Sequence, residues 1–268
     1  MAIEITSPQN PRIKEVIRLR DRRGRRRQER FIIDGIRELR RAIDSEFEIL
    51  EVFYDEAMIR DPKISQLLNT ATDLDAELIA VPERVMEKLS YGQRVLPLIA
   101  IAQTPVPISL EDLSPSNNTL IIVLEALEKP GNLGAILRTA DASGVDAVII
   151  SDGNKDLFNP NTIRSSCGAV FHLPVISTSH KELMTWLDGH AFQSFATRID
   201  GAVDYTQVDY TGKTALVMGT EATGLSERWN NENSIAISIP MQGIGDSLNV
   251  STSCAVVCYE ALRQRRSS

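Results

Sequence analysis

The apolar and polar positions divide the chain into two stretches of alternating helix and strand. In the first, Ile13, Val16, Ile17 and Arg20 share one face at helical spacing. That predicts a helix from Arg12 to Arg23, which Gly24 interrupts. Phe31-Ile32-Ile33 reads as a strand ended by Gly35, and Ile36 to Ile43 returns to helical spacing. Ile49 to Tyr54 and Glu77 to Val81 are strand-like, and between them Asp61 to Leu74 sets Ile64, Leu67 and Leu68 on one helical face. Val95 to Ala102 is a further apolar run. From Thr104 the texture changes: Pro105, Pro107 and Pro115 fall in a stretch without periodicity. This predicts a linker over 105–118 between one domain at 1–104 and another at 119–268.

The second stretch opens on Leu120 to Leu124, an apolar run of the buried-sheet type. A Pro130 to Gly134 loop and a helix from about Ala135 to Ala142 follow. Further strands are expected at Asp146 to Ser151, Leu173 to Ile176, Phe192 to Thr197, Thr214 to Met218 and Ile235 to Ile239. Helices are expected at Thr162 to Gly168 and His180 to Leu187, with a closing one from Asn249 to Arg265. The alternation predicts an α/β fold with a parallel sheet covered on both faces.

Charge changes the picture. The 268 residues carry 29 Lys/Arg and 36 Asp/Glu, a net of -7 that argues against a nucleic-acid coat. Yet Arg12 to Arg41 holds 13 Lys/Arg against 5 Asp/Glu, a net of +8. The remaining 16 and 31 leave -15. Eight Arg fall between Arg18 and Arg30, against two acids. This excess predicts phosphate contact by Arg18, Arg22, Arg23, Arg25, Arg26, Arg27 and Arg30. No aromatic interleaves them, so base stacking there is not expected. Three cysteines are too few for a disulfide framework. The start, MAIEITSPQNPRIKE, has no apolar signal-like segment, and no uncharged run nears the roughly 18 residues that span a bilayer. A soluble, cytoplasmic protein without membrane contact is expected. His172, His180 and His190 lack ligand spacing, and Cys254 and Cys258 share their helix face with Val250 and Val257, so no metal is expected.

Ligands of parallel α/β sheets collect beyond the carboxyl ends of the strands. Three loops there are rich in Gly, Asn and Ser: Glu128 to Thr139, Met218 to Leu225, and Ile239 to Ser251. Each alone also reads as an ordinary turn or capped helix start. None is a dinucleotide fingerprint or a phosphate-cradling P-loop, and Glu221 would repel a phosphate. A nicotinamide dehydrogenase is therefore not expected.

Asn132-x-Gly134-x-x-x-Arg138, Gly219-x-Glu221-x-x-Gly224 and Ser247-Leu248-Asn249-Val250-Ser251 stand in that order along the chain. Together they resemble the three signature motifs of the SpoU (TrmH-like) branch of the SPOUT RNA methyltransferases, over about Thr119 to Arg266. Ile5-Thr6-Ser7, Asn10-Pro11-x-Ile13-Lys14 and Phe31-Ile32-Ile33-Asp34-Gly35 resemble the substrate-binding domain of rRNA-modifying members, similar to the L30e ribosomal-protein fold. Asp34 stands where the family commonly has Glu.

The resemblance implies methyl transfer from S-adenosylmethionine to a ribose 2′-OH of RNA. It also implies a parallel-sheet SPOUT domain with a deep C-terminal trefoil knot, and a homodimer through the knotted domains. It assigns Gly219, Ile239 and Leu248 to the cofactor, with Met218, Met241 and Asn249 nearby. Arg138 matches the catalytic Arg, with Asn132, Glu221 and Asn249 holding it and the loops in register. An Arg side chain, with an ordinary pKa above about 12, suits phosphate anchoring better than a free-base role. Arg164 and Ser166 are expected near the substrate side, where a solvated Arg and a small core residue are the plainer reading. The L30e-like module favours large-subunit rRNA as target. A tRNA enzyme, a thiostrepton-resistance-type rRNA enzyme and a non-enzymatic RNA-binding protein are the alternatives. The apolar side of the closing helix, with Val250, Cys254, Val257 and Cys258, suits either the core or a dimer seam.

Overall fold

The structure is a computed structural model that describes residues 3–90, 95–127, 129–153, 156–199, 202–220 and 224–267. Its contacts group into two compact units. One holds Met1–Val106 together with Phe158–His172, and the other holds Pro107–Leu157 with Leu173–Ser268. The segment Phe158–His172, which the motif order sets in the second domain, thus groups with the first.

The first unit runs β1 (Ile3–Glu4), α1 (Pro11–Arg18), α2 (Arg22–Gln28), β2 (Arg30–Asp34), α3 (Ile36–Asp44) and β3 (Ile49–Asp55). It continues with α4 (Pro62–Asp73), β4 (Glu77–Val81), α5 (Glu83–Leu89) and β5 (Leu98–Gln103). The strand order is β1-β4-β3-β5-β2, with β5 antiparallel to both neighbours and the other pairs parallel. Asn10 and Asp61 cap α1 and α4, accepting from the N–H of Arg12 and Lys63 at 2.8 Å each, and proline starts both helices.

The single helix expected from Arg12 to Arg23 is two. α1 ends at Arg18, and Gly24 lies inside α2 rather than at a break. A Cβ on Gly24 would sit 1.8 Å from the carbonyl oxygen of Arg18. Glycine is needed there because α2 closes onto the end of α1. Arg25 completes the closure. Its Nη1 donates to the carbonyls of Leu19 (2.7 Å) and Arg20 (2.8 Å), which follow the end of α1.

The chain then forms β6 (Leu120–Glu125), α6 (Pro130–Ser143), β7 (Ala147–Ser151), α7 (Pro160–Ser165), β8 (Val175–Thr178), α8 (His180–Gly189) and β9 (Gln193–Thr197). It ends with β10 (Val203–Asp204), β11 (Thr214–Met218), β12 (Ser234–Ser238) and α9 (Val250–Ser267). The second unit's sheet has the order β10-β12-β9-β11-β6-β7-β8, every pair parallel. Ile121, Val123, Ile149 and Val217 meet Leu183, Trp186 and Leu187 of α8 in one core layer. α6 and α9 pack on each other, and α9 returns onto β11. Val250, Cys254, Val257, Cys258 and Ala261 of α9 are buried within this unit, so that face belongs to the core. The Cys254 and Cys258 sulfurs lie 3.7 Å apart. Their hydrogen bond and burial push the Cys254 thiol well up, which makes it unreactive.

α6 starts at Pro130, five residues before the expected Ala135, because proline at the first helical position is already set in helical geometry. Asn132 and Gly134 therefore sit in a helix rather than a loop. In the first unit, Phe158 stacks on Phe31 at a centroid distance of 4.3 Å, and Phe171 meets Phe47 edge-on at 5.0 Å. Arg41 Nη1 donates to the Cys167 carbonyl at 2.6 Å. These contacts tie Phe158–His172 to β2 and α3.

Candidate active site

A cavity of about 530 Å³ opens at the carboxyl ends of β9, β11 and β12, against the start of α9. Met218, Gly219, Ile239, Met241 and Leu248, all expected around a cofactor, line it. The sixth, Asn249, is exposed beside it and caps α9: its Oδ1 accepts from the N–H (3.0 Å) and hydroxyl (2.6 Å) of Ser251.

Gly219 has no room for a side chain. A Cβ there would lie 2.3 Å from the carbonyl carbon of Gly224 and 2.5 Å from the Leu225 nitrogen. Thr220 and Gly224 exchange backbone hydrogen bonds of 3.1 Å in both directions, which pin the crossing, and Gly224 takes φ +68°. Glu221 falls inside this loop and lies outside the described residues. The loop's far side is anchored by Glu125, a buried carboxylate at the end of β6. It accepts from the N–H (2.8 Å) and hydroxyl (2.7 Å) of Ser226. A lone acid closing an otherwise apolar strand was the sequence signal for this partner.

Asn132 and Asn249 meet, with Nδ2 of Asn249 3.4 Å from Oδ1 of Asn132. This joins the first turn of α6 to the cap of α9. Asn132 and Asn249 do not hold Arg138 as the motif reading expected. Six residues along a helix turn a side chain roughly 240° away, so Arg138 leaves the Asn132 face. Arg138 is exposed on α6 and makes no hydrogen bond or ion pair among the described residues. It is also absent from the cavity wall.

Arg198, Ile199 and Glu227 line the cavity without having been expected. Neighbouring Thr197 also lines it, and its hydroxyl donates to the Val217 carbonyl at 2.9 Å, joining β9 to β11 beneath the pocket.

In the first unit Arg18, Arg22, Arg23, Arg26 and Arg27 are exposed and unpaired among the described residues. Arg25 is a correction. It is 5% exposed and spent on backbone carbonyls, so it cannot meet a phosphate. Arg30 lies 3.5 Å from Glu51, and Arg164 lies 3.7 Å from Asp34, so neither cation is uncommitted. Asp34 is held chiefly by Arg20, whose Nη2 reaches it at 2.7 Å. Ser166 is buried and donates to the Ile163 carbonyl, the core role. Among the described residues, no group of three or more His, Cys, Asp or Glu could hold a metal ion, and no helix is long and apolar enough to cross a membrane.

Residues 119–259 match the SpoU rRNA methylase family, and residues 10–100 match the MRM3-like substrate-binding domain. The chain belongs to the SpoU rRNA methylase family. The family match contains α6, the Gly219 loop and the cavity, and the substrate-domain match contains the α2 arginines. The 23S rRNA (uridine(2479)-2'-O)-methyltransferase of Streptomyces viridochromogenes is 29% identical over 253 residues, which cover 92% of this methylase and 87% of the relative. A crystal structure of an RNA 2'-O ribose methyltransferase is 40% identical, with TM-score 0.87 over 98% of this methylase and 100% of that chain. An AdoMet-bound rRNA methyltransferase from Sinorhizobium meliloti is 28% identical, with TM-score 0.89 over 98% of both chains.

Proposed function

We propose that this methylase transfers a methyl group from S-adenosylmethionine to a ribose 2′-oxygen of large-subunit rRNA. The observation that carries the reading is the cavity at the strand ends, walled by the Gly219 crossing, Ile239 and Leu248. Its chemistry fits the cofactor. Met218, Ile237, Ile239 and Leu248 offer an apolar slot for adenine, and the close backbone crossing at Gly219 presents main chain rather than side chain to it. When bound, S-adenosylmethionine supplies an electrophilic methyl on a sulfonium sulfur.

The chain's own residues then position the nucleophile. Arg138, exposed and unpaired among the described residues, anchors the phosphate next to the target ribose and orients its 2′-oxygen toward the methyl. The Asn132–Asn249 contact keeps α6 in register with the cavity wall. Glu221 belongs to the same loop as Gly219 and completes the proposed catalytic set. The deep knot fits the path of the chain. After β11 in mid-sheet it crosses to β12 beyond β9, then α9 returns onto α6 and β11. A homodimer fits the apolar side chains left at the surface of this unit, Ile199, Val203, Ile244 and Tyr259. A monomer mass in sedimentation at micromolar concentration would end the dimer reading. The enzyme is placed in the cytoplasm, with ribosome assembly.

The first unit reads the RNA through Arg18, Arg22, Arg23, Arg26 and Arg27. Changing Arg22, Arg23, Arg26 and Arg27 to Glu should weaken rRNA-fragment binding. The slope of log affinity against log salt should become shallower by about one for each phosphate that the protein no longer neutralises. An unchanged slope would remove the patch from the interface. The function itself is tested by mapping 2′-O-methylation on rRNA and tRNA from a deletion strain and its parent. Loss of one 2′-O-methyl group from 23S rRNA is expected. Loss from a tRNA with 23S rRNA intact would make the tRNA alternative correct.

A further inference from the structure

The cavity has a charged end that the motifs do not account for. Arg198 follows β9, and Glu227 opens a short 3-10 turn, Glu227–Trp229; both line the cavity. Asn230 joins them: Arg198 Nη1 donates to Asn230 Oδ1, and Asn230 Nδ2 donates to Glu227 Oε2. A cation and a carboxylate are thus held apart by one amide, in a fixed order, on one rim.

That rim is built rather than incidental. Trp229, 2% exposed, anchors the turn in the core, with its ring edge-on to His180 at 5.3 Å. Ser226, just before the turn, is fixed by Glu125. Arg228 Nη1 lies 2.8 Å from Asp152 Oδ2. The Arg198 backbone N–H donates to the Ile237 carbonyl at 2.9 Å. Both charged side chains therefore extend from backbone held at several points, which reduces the ordering cost of binding.

We propose that Arg198 and Glu227, set by Asn230, bind the 2-aminocarboxylate end of S-adenosylmethionine; this rests on the cofactor reading above. Adenine and ribose carry no charge, and their apolar slot lies among Met218, Ile239 and Leu248. The cofactor has one place where a carboxylate and an ammonium stand a few ångströms apart, and it matches a rim bearing one cation and one carboxylate. The Arg198 guanidinium, with five N–H donors, meets the carboxylate. Glu227 Oε1, which accepts no hydrogen bond among the described residues, meets the ammonium. Asp246 also lines the cavity and is a second carboxylate in its wall.

The test is calorimetry on the full chain with two ligands, S-adenosylhomocysteine and 5′-methylthioadenosine, which lacks the aminocarboxylate arm. The wild-type protein should prefer adenosylhomocysteine by at least about tenfold, the scale of a charged hydrogen bond. Arg198→Ala and Glu227→Gln should each weaken adenosylhomocysteine by about tenfold and leave methylthioadenosine within about twofold. Arg198→Lys should recover part of the loss. Equal weakening of both ligands, or adenosylhomocysteine binding untouched while rRNA binding falls, overturns the proposal and gives Arg198 to structure or to RNA. A wild-type preference near one overturns it without any variant. Failure of the wild-type protein to bind either ligand would instead sink the cofactor reading.

Discussion

Arg138→Ala should lower the single-turnover rate of methyl transfer by about a hundredfold or more while adenosylhomocysteine affinity stays within about twofold. The separation of the two readouts follows from where the residue stands. Arg138 is exposed on α6, is not part of the cavity wall and makes no bond among the described residues that its loss would break. Truncation therefore removes an exposed cation, proposed to anchor the substrate phosphate, and leaves the pocket alone. The fold should be unaffected, since alanine is a better helix former than arginine at an exposed position. Arg138→Lys should restore only part of the rate, because an ammonium keeps the charge but lacks the planar fork that orients a phosphate. Turnover near wild type in Arg138→Ala would remove the residue from the chemistry. A joint fall in rate and cofactor affinity would make it structural.

How far the sequence reached depended on the range of each interaction. Gly219, Ile239 and Leu248 were legible through the motifs that carry the family resemblance, and Gly219 also because it directly follows the buried strand β11. They converge on one cavity because β11 and β12 end on the same side of a parallel sheet. Arg198 and Asn230 were not legible. Their bond spans 32 positions, and an Arg after a strand looks the same whether it meets solvent or a pocket. Phe158 and Phe171 failed to announce themselves for the same reason, since their partners Phe31 and Phe47 lie more than 100 residues away in sequence.

The arginine run shows the opposite limit. Composition marked seven arginines as one phosphate-facing surface, but Gly24 changes the local path so that Arg25 turns inward. With Gly24 allowing α2 to close on α1, Arg25 falls beside the carbonyls that α1 leaves open, while Arg22, Arg23, Arg26 and Arg27 keep outward positions. A charge count cannot separate a phosphate contact from a carbonyl staple. The glycine two positions from α2's start was the local clue to the difference.

Gly219→Ala should abolish measurable cofactor binding, an affinity loss of about a hundredfold or more, with the rest of the fold retained. The added Cβ would lie 2.3–2.5 Å from three backbone atoms of Gly224 and Leu225. None of these is the movable end of a side chain. The backbone cannot yield locally either, because the two 3.1 Å bonds between Thr220 and Gly224 and the Glu125 hold on Ser226 close the loop on both sides. Overpacking of this kind costs about 1–3 kcal/mol, or the loop opens and the pocket wall is lost. Thermal unfolding should show a fall of only a few degrees, since the clash lies past the end of β11 and outside the sheet core. Gly224→Ala is the control that separates clash from backbone strain. Its Cβ would meet nothing within 4 Å, so its cost is limited to the +68° φ, about 1–2 kcal/mol. Cofactor affinity should therefore fall far less in Gly224→Ala than in Gly219→Ala. Equal losses would mean that the loop's conformation, rather than the tight crossing at Gly219, shapes the pocket.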